Sequence, residues 1–245
     1  MEIMLISLGV FVGILSGFFG IGGGTVSVPI LLYMGFGIKE AIGISVMQML
    51  VGSFTAFLIH RKQQTYDASE IKYFGFGGIV GAVVGGYLVK VLNASLLEWF
   101  FLSLVIFTLV KLFMSNPEPT HKEIVNRPLY MLVGGGIGVF SGMLGVGGSI
   151  LMTPILVSFL GFSLKKASAV GLFYVMFTSV SSFVTLSSFG MINFQAGALM
   201  ALGSLAGIWI GIWLMHKMHI KHYKRILVIF YVIILAITLN KLILG

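Results

Sequence analysis

Six apolar blocks, at about 41–59, 71–91, 96–114, 167–188, 195–216 and 224–243, are each long enough to cross roughly 30 Å of hydrocarbon at about 1.5 Å per residue. No soluble domain can hide six such stretches in a chain of 245 residues that is 58% hydrophobic and 9% charged, with a mean hydropathy of +1.08. A chain solvated by lipid has no need to hide them. The expectation is an all-α polytopic membrane protein. Met1-Glu2-Ile3-Met4-Leu5 has neither a basic leader nor a small-residue cleavage site, so the first hydrophobic stretch reads as part of the mature chain. The formal net charge of +8 sits in short segments between apolar blocks. There it meets lipid headgroups and orients spans, which leaves no basic surface for nucleic acid. With no cysteine, disulfides and thiolate–metal sites are excluded.

The chain repeats itself. Residues 13–31 overlay 138–156 at an offset of 125 with nine of nineteen positions identical: Gly13, Ser16, Gly17, Gly20, Gly22, Gly23, Pro29, Ile30 and Leu31. Beyond Leu160 the offset becomes 126, and Ser53 falls on Ser179, Phe57 on Phe183, and Gly77, Gly81 and Gly85 on Gly203, Gly207 and Gly211. A shared glycine register over such a distance marks two homologous halves. Residues 1–114 form the first repeat and 129–245 the second. The linker at 115–128 carries Pro117, Pro119 and charges that no lipid-facing helix accommodates.

Each half opens with a block split by glycine, at 20–24 and again at 145–149, and the piece after each split is too short to span alone. If each split block were one crossing, the lysines and arginines would divide seven to eight between the two sides of the membrane. If each dips in and returns, they divide twelve to three, with only Lys39, Lys90 and Lys241 on the minority side. The positive-inside rule selects the second arrangement. Each half is then a glycine-broken re-entrant helix pair plus three full spans. The halves are inverted repeats, both termini lie outside, and the linker, the 60–72 loop and the run from Lys217 to Arg225 are cytoplasmic.

Broken helices that meet near the midplane between inverted repeats are a transporter architecture. Glycines admit backbone angles closed to other residues and leave N–H groups unobstructed. A half-helix starting there directs roughly +0.5 of an elementary charge inward, which suits an anion. The ridges Gly9/Gly13/Gly17, Gly134/Gly138/Gly142, Gly77/Gly81/Gly85 and Gly203/Gly207/Gly211 have instead the four-residue spacing of close helix packing. The candidate substrate-binding residues are Gly22, Gly23, Gly24, Thr25 and Gln48 in the first half, with Gly147, Gly148, Ser149 and Tyr174 in the second. Gln48 and its repeat mate Tyr174 read equally well as ligand contacts or as helix–helix hydrogen bonds. Glu2, Glu40, Asp67, Glu70, Glu98, Glu118 and Glu123, and the histidines at 60, 121, 216, 219 and 222, all sit at block ends or in loops. That distribution offers no metal ligands within the membrane, no cofactor site and no acid–base pair for an enzyme.

The pattern Gly17-Phe18-Phe19-Gly20-Ile21-Gly22-Gly23-Gly24 followed by Val28-Pro29-Ile30-Leu31 resembles the sulfite exporter TauE/SafE family. Its echo is Gly142-Met143-Leu144-Gly145-Val146-Gly147-Gly148-Ser149 with Thr153-Pro154-Ile155-Leu156. The resemblance implies a multi-pass protein of the bacterial inner membrane that moves sulfite, organosulfonates or other small sulfur-containing anions. The second copy has Ser149 where the first has Gly24, so the two half-sites need not contribute equally. An anion channel and a non-transporting scaffold or accessory subunit remain open alternatives, and oligomeric state is not legible.

Overall fold

A computed structural model of the chain describes residues 1–19, 22–60, 68–114, 123–162, 164–217, 228–229 and 231–240. The expected cytoplasmic loop at 60–72, most of the 115–128 linker and the basic run to Arg225 fall largely outside these residues. The helices in chain order are α1 (Glu2–Phe19), α2 (Gly24–Tyr33), α3 (Ile38–His60), α4 (Ala68–Val91), α5 (Ala94–Met114), α6 (Arg127–Leu144), α7 (Ser149–Leu160), α8 (Leu164–Ser188) and α9 (Phe194–Lys217). A further apolar helix, α10, covers Tyr231–Asn240.

Local chemistry sets several boundaries. Asn93, Asn126 and Asn193 cap α5, α6 and α9, accepting from the amides of Leu96, Leu129 and Ala196 at 2.8, 3.2 and 3.0 Å. The Asn193 amide also donates to Glu40 Oε1 at 2.8 Å, which ties the start of α9 to the first turn of α3. Gly145 (φ 65°) and Gly161 (φ 71°) end α6 and α7 in the left-handed conformation.

Among the described residues, three helices are long and apolar enough to cross a membrane by themselves: Lys72–Val91, Ala94–Lys111 and Phe194–Leu214. With 23 and 25 residues, α3 and α8 also have the length, about 35 and about 38 Å, and both carry polar side chains among the apolar ones. Those polar groups face inward. Ser45, Gln48 and Ser53 on α3, and Thr178, Ser179, Ser181, Ser182 and Thr185 on α8, are all buried. Phe76, Val80, Val84 and Tyr87 of α4, and Trp209 and Trp213 of α9, are exposed on the outside. Apolar outside and polar inside is the polarity of a protein whose solvent is lipid.

Two helix pairs dominate the packing, α1 with α9 and α4 with α6. A methyl group on Gly13 would stand 2.5 Å from the Ser204 carbonyl oxygen, and one on Gly138, its repeat mate, 2.6 Å from that of Gly78. Gly9 and Gly17 lie on Met200 and Ile208, while Gly134 and Gly142 lie on Phe74 and Ala82. In return Gly203, Gly207 and Gly211 rest on Ile6, Val10 and Ile14, and Gly77, Gly81 and Gly85 rest on Met131, Gly135 and Val139. Every one of these contacts in one half maps onto a contact in the other through the sequence offset. Residue numbers rise together along each pair, so α1 runs parallel to α9 and α4 parallel to α6.

Directions elsewhere follow from the same kind of register. Gly43 abuts Met191 and Gly52 meets Ile208, so α3 also runs with α9. Ser53 Oγ is 3.1 Å from Ser179 Oγ and the Phe57 ring lies 4.9 Å from that of Phe173, so α3 and α8 cross antiparallel. Gly24 packs against Met49 while Ser27 bonds Ser45 at 2.9 Å, so α2 runs back against α3. The chain therefore reverses at the 20–23 break, α1 and α3 pointing one way and α2 the other.

Candidate functional site

The half-helix α2 begins without a side-chain cap. Gly23 occupies the N-cap position in the left-handed conformation (φ 75°, ψ −27°), and Gly148 does the same ahead of α7 (φ 71°, ψ −15°). The preceding Gly22 and Gly147 are left-handed too, at φ 73° and 74°. Successive left-handed residues cost about 1–2 kcal/mol each for any residue with a Cβ, which is why both breaks need their glycines. The amides of Val26 and Ser27 turn back to the Gly23 carbonyl at 3.0 and 3.1 Å, and those of Leu151 and Met152 to Gly148 at 3.1 and 2.9 Å. The amides just ahead, of Gly24 and Thr25 and of Ser149 and Ile150, stand where a helix has no acceptor of its own. Pro29 and Pro154, inside α2 and α7, have no N–H to return to the Thr25 and Ile150 carbonyls.

The two breaks meet at the centre of the fold. A methyl on Gly24 would collide with the Gly145 carbonyl and lie 2.8 Å from both Val146 Cα and Met49 Sδ. Ser27 donates to Ser45, and Ser45 donates to the Gly145 carbonyl at 2.8 Å, so α2, α3 and the second break form one hydrogen-bonded chain. Between the breaks stand Met49 and Val175. Gly22 and Gly147 each come within 3.1 Å of Val175 Cγ1 when given a Cβ, and Met49 Sδ is 3.7 and 3.0 Å from the same two positions. Both side chains are buried, and they are repeat mates one residue beyond Gln48 and Tyr174. Glycines and hydroxyls drew the sequence reading, and this apolar pair escaped it. The signal that finds them is the 126-residue offset, which sets both at equal depth beside the breaks.

Gln48 and Tyr174 differ sharply. The Gln48 amide lies over the first break, with Oε1 and Nε2 at 2.9 and 3.1 Å from where a Gly23 Cβ would be. It is fully buried, and neither its oxygen nor its nitrogen has a hydrogen-bond partner. Thr25 Oγ1, in the first turn of α2, is likewise buried without a partner. Each orphaned group costs roughly 1–3 kcal/mol, a burden tolerated where something else is to be bound. Tyr174 lies against the second break in the equivalent way, its Cε1 2.7 Å from a Gly148 Cβ, but its hydroxyl donates to the Gly134 carbonyl at 2.5 Å. Its ring therefore walls the break while its hydroxyl braces α6. Tyr174→Phe is expected to remove that one bond and lower stability by about 0.5–1.5 kcal/mol, measured by thermal unfolding in detergent.

The other polar candidates are absorbed by structure. Ser181 donates to the Ile79 carbonyl at 2.8 Å, Thr55 to Val51 at 2.8 Å, and Thr178 to Tyr174 at 3.1 Å. A cavity of about 470 Å³ opens between α4 and α8 beside Phe54, lined by Ile79, Val83, Val180 and Val184 among others. Its lining includes none of the break residues, and the Ser181 and Thr185 hydroxyls in its wall are spent on backbone carbonyls. Such a hollow suits hydrocarbon and offers nothing to an anion. Among the described residues no group of three or more His, Asp or Glu could hold a metal ion, and the buried polar side chains are Ser, Thr and Gln together with tyrosines.

Known proteins are similar to this chain in sequence. Residues 5–239 match the family model for sulfite exporter TauE/SafE. The chain is 25% identical over 236 residues to the probable membrane transporter protein YunE of Bacillus subtilis (strain 168), covering 85% of each chain. It is 26% identical over 242 residues to a probable membrane transporter protein of Methanocaldococcus jannaschii, covering 91% of this chain and 90% of that one. The probable membrane transporter protein YfcA of Escherichia coli (strain K12) is 23% identical over 215 residues, 85% of this chain and 80% of its own. No solved structure matches. Since the family model spans nearly the whole length and takes in both glycine breaks, the chain belongs to the sulfite exporter TauE/SafE family of membrane transporters.

Proposed function

We propose that this protein carries small anions across the inner membrane, sulfite or organosulfonates by the family's description, through alternating access between two inverted halves. The halves are residues 1–114 and 129–245, joined by a cytoplasmic linker at 115–128. The antiparallel crossing of the mates α3 and α8, the exchanged pairing of α1 with α9 and α6 with α4, and the twelve-to-three division of basic residues all support the inversion. The observation that carries the anion reading is the pair of orphaned, fully buried groups on Gln48 and Thr25 at the start of α2. A ligand held there receives the amides of Gly23, Gly24 and Thr25, with the partial positive charge of the helix end behind them. Gly22 and Gly147 give the backbone its turns. Gly148 and Ser149 present the second helix end, and the Tyr174 ring closes that side.

Affinity comes from charge-assisted bonds that replace the ligand's hydration. Met49 and Val175 fill the space between the breaks, which favours a carrier that must rearrange over an open channel. Reconstitution into proteoliposomes tests the proposal. Saturable anion uptake is expected, and it should fall at least tenfold on Gly147→Leu, since a side chain there is both strained and packed against Met49 and Val175. Undiminished uptake by that variant removes the site, and no uptake of any anion by the wild type favours a scaffold. A reporter fused after residue 245 checks the orientation: an extracytoplasmic signal is expected, and a cytoplasmic one contradicts the inverted arrangement.

A further inference from the structure

We infer that the ligand of the first break is a monoanion that keeps a hydrogen-bond donor of its own, such as an oxyacid with one O–H left, and not a bare, fully ionised oxyanion. The inference rests on the anion-carrier reading above and specifies its ligand. The Gln48 side chain brings a donor and an acceptor to the same place, and both are unpartnered. Turning the amide about its last bond exchanges the two and leaves one of each, so the conclusion does not depend on which atom is oxygen. Around it are Gly23, Val12 and Gly52, none of which has a side-chain polar group to offer.

Thr25 adds a hydroxyl able to give and accept, and Pro29 cannot return a bond to the Thr25 carbonyl. The break thus holds unused acceptors as well as unused donors. An anion with lone pairs alone would answer the backbone amides, the Gln48 N–H and the Thr25 O–H. It would also set its negative oxygens against the Gln48 carbonyl, which repels them. A ligand with one hydrogen turns that carbonyl from a repulsive group into a partner.

Charge points the same way. Among the described residues the buried polar side chains include no Lys, Arg or His, so nothing but helix ends and dipoles offsets the ligand's charge. Such a site holds one negative charge at far lower desolvation cost than two. At the second break Tyr174, the repeat mate of Gln48, spends its hydroxyl on Gly134, so the two breaks are not equivalent. A ligand that brings its own proton also explains how a carrier works without an intramembrane carboxylate.

The test is binding to the purified full-length protein, at one pH where all probes are monoanions. Hydrogen sulfite and hydroxymethanesulfonate, which carry a donor hydrogen, are compared with methanesulfonate and nitrate, which carry none. The tighter donor-bearing probe should bind about tenfold more tightly than either donor-free one, the penalty expected for leaving a buried acceptor unpaired. Gln48→Leu should erase that preference. A donor-free probe that binds as tightly as the best donor-bearing one overturns the inference and leaves the anion carrier intact. Failure of every anion to bind removes the carrier reading, and this inference with it. Should Gln48→Leu fail to fold, the wild-type comparison alone decides.

Discussion

Gly24→Ala is expected to disable the protein more completely than any other single added methyl group. At that position a Cβ meets the carbonyl of Gly145 across the interface of the two breaks, with Val146 Cα and Met49 Sδ both at 2.8 Å. Met49 is flexible and would move aside. The Gly145–Val146 backbone cannot, because the Gly145 carbonyl already accepts from Ser45 and its amide already donates to the Ser141 carbonyl at 3.0 Å. Relief requires α2 to back away from the second break, which opens the Ser27–Ser45–Gly145 chain. Overpacking of this kind costs about 1–3 kcal/mol, and more where backbone opposes backbone. A fall in the unfolding midpoint together with loss of anion uptake is the expected result. Gly136→Ala is the control: nothing lies within 4 Å of its Cβ, so stability and uptake should be unchanged. Equal behaviour of the two variants would mean that the breaks are not packed as described.

Gln48→Leu is expected to separate stability from activity in opposite directions. Leucine keeps much of the volume and removes two buried polar atoms that have no partner. Deleting unsatisfied groups spares a penalty of roughly 1–3 kcal/mol each, so the variant should unfold at a higher temperature than the parent. Anion uptake should fall by at least tenfold, because the same atoms are the ligand's polar contacts in the proposed site. A stabilised, inactive variant is what a binding group held at a cost to the fold produces. If the amide were merely helix–helix glue, its removal would destabilise the protein and leave uptake in the folded fraction untouched. Thermal unfolding in detergent and uptake in proteoliposomes, on the same preparation, distinguish the two.

Membrane residence was legible from the apolar blocks, because lipid reverses the usual rule and lets hydrophobic residues face outward. The glycine ridges were legible as packing surfaces for a related reason. A four-residue spacing puts small residues on one helix face, and only close backbone approach makes use of such a face. Several hydroxyls serve structure, as the bonds of Ser181 to Ile79 and Thr55 to Val51 illustrate.

By itself the sequence determined that the chain lives in a membrane, is duplicated, and breaks two helices at glycine clusters. Composition, repetition and backbone freedom are local properties, and all three can be read residue by residue. Which helices those ridges join was decided only by the tertiary structure, since α1 pairs with α9 and α4 with α6, each across intervening helices. The same holds for the difference between Gln48 and Tyr174. As repeat mates beside equivalent glycines they looked alike, and a hydrogen bond to Gly134 separates the satisfied phenol from the orphaned amide. Whether a buried polar group has a partner depends on what distant segments bring to it, and no window of sequence contains that information.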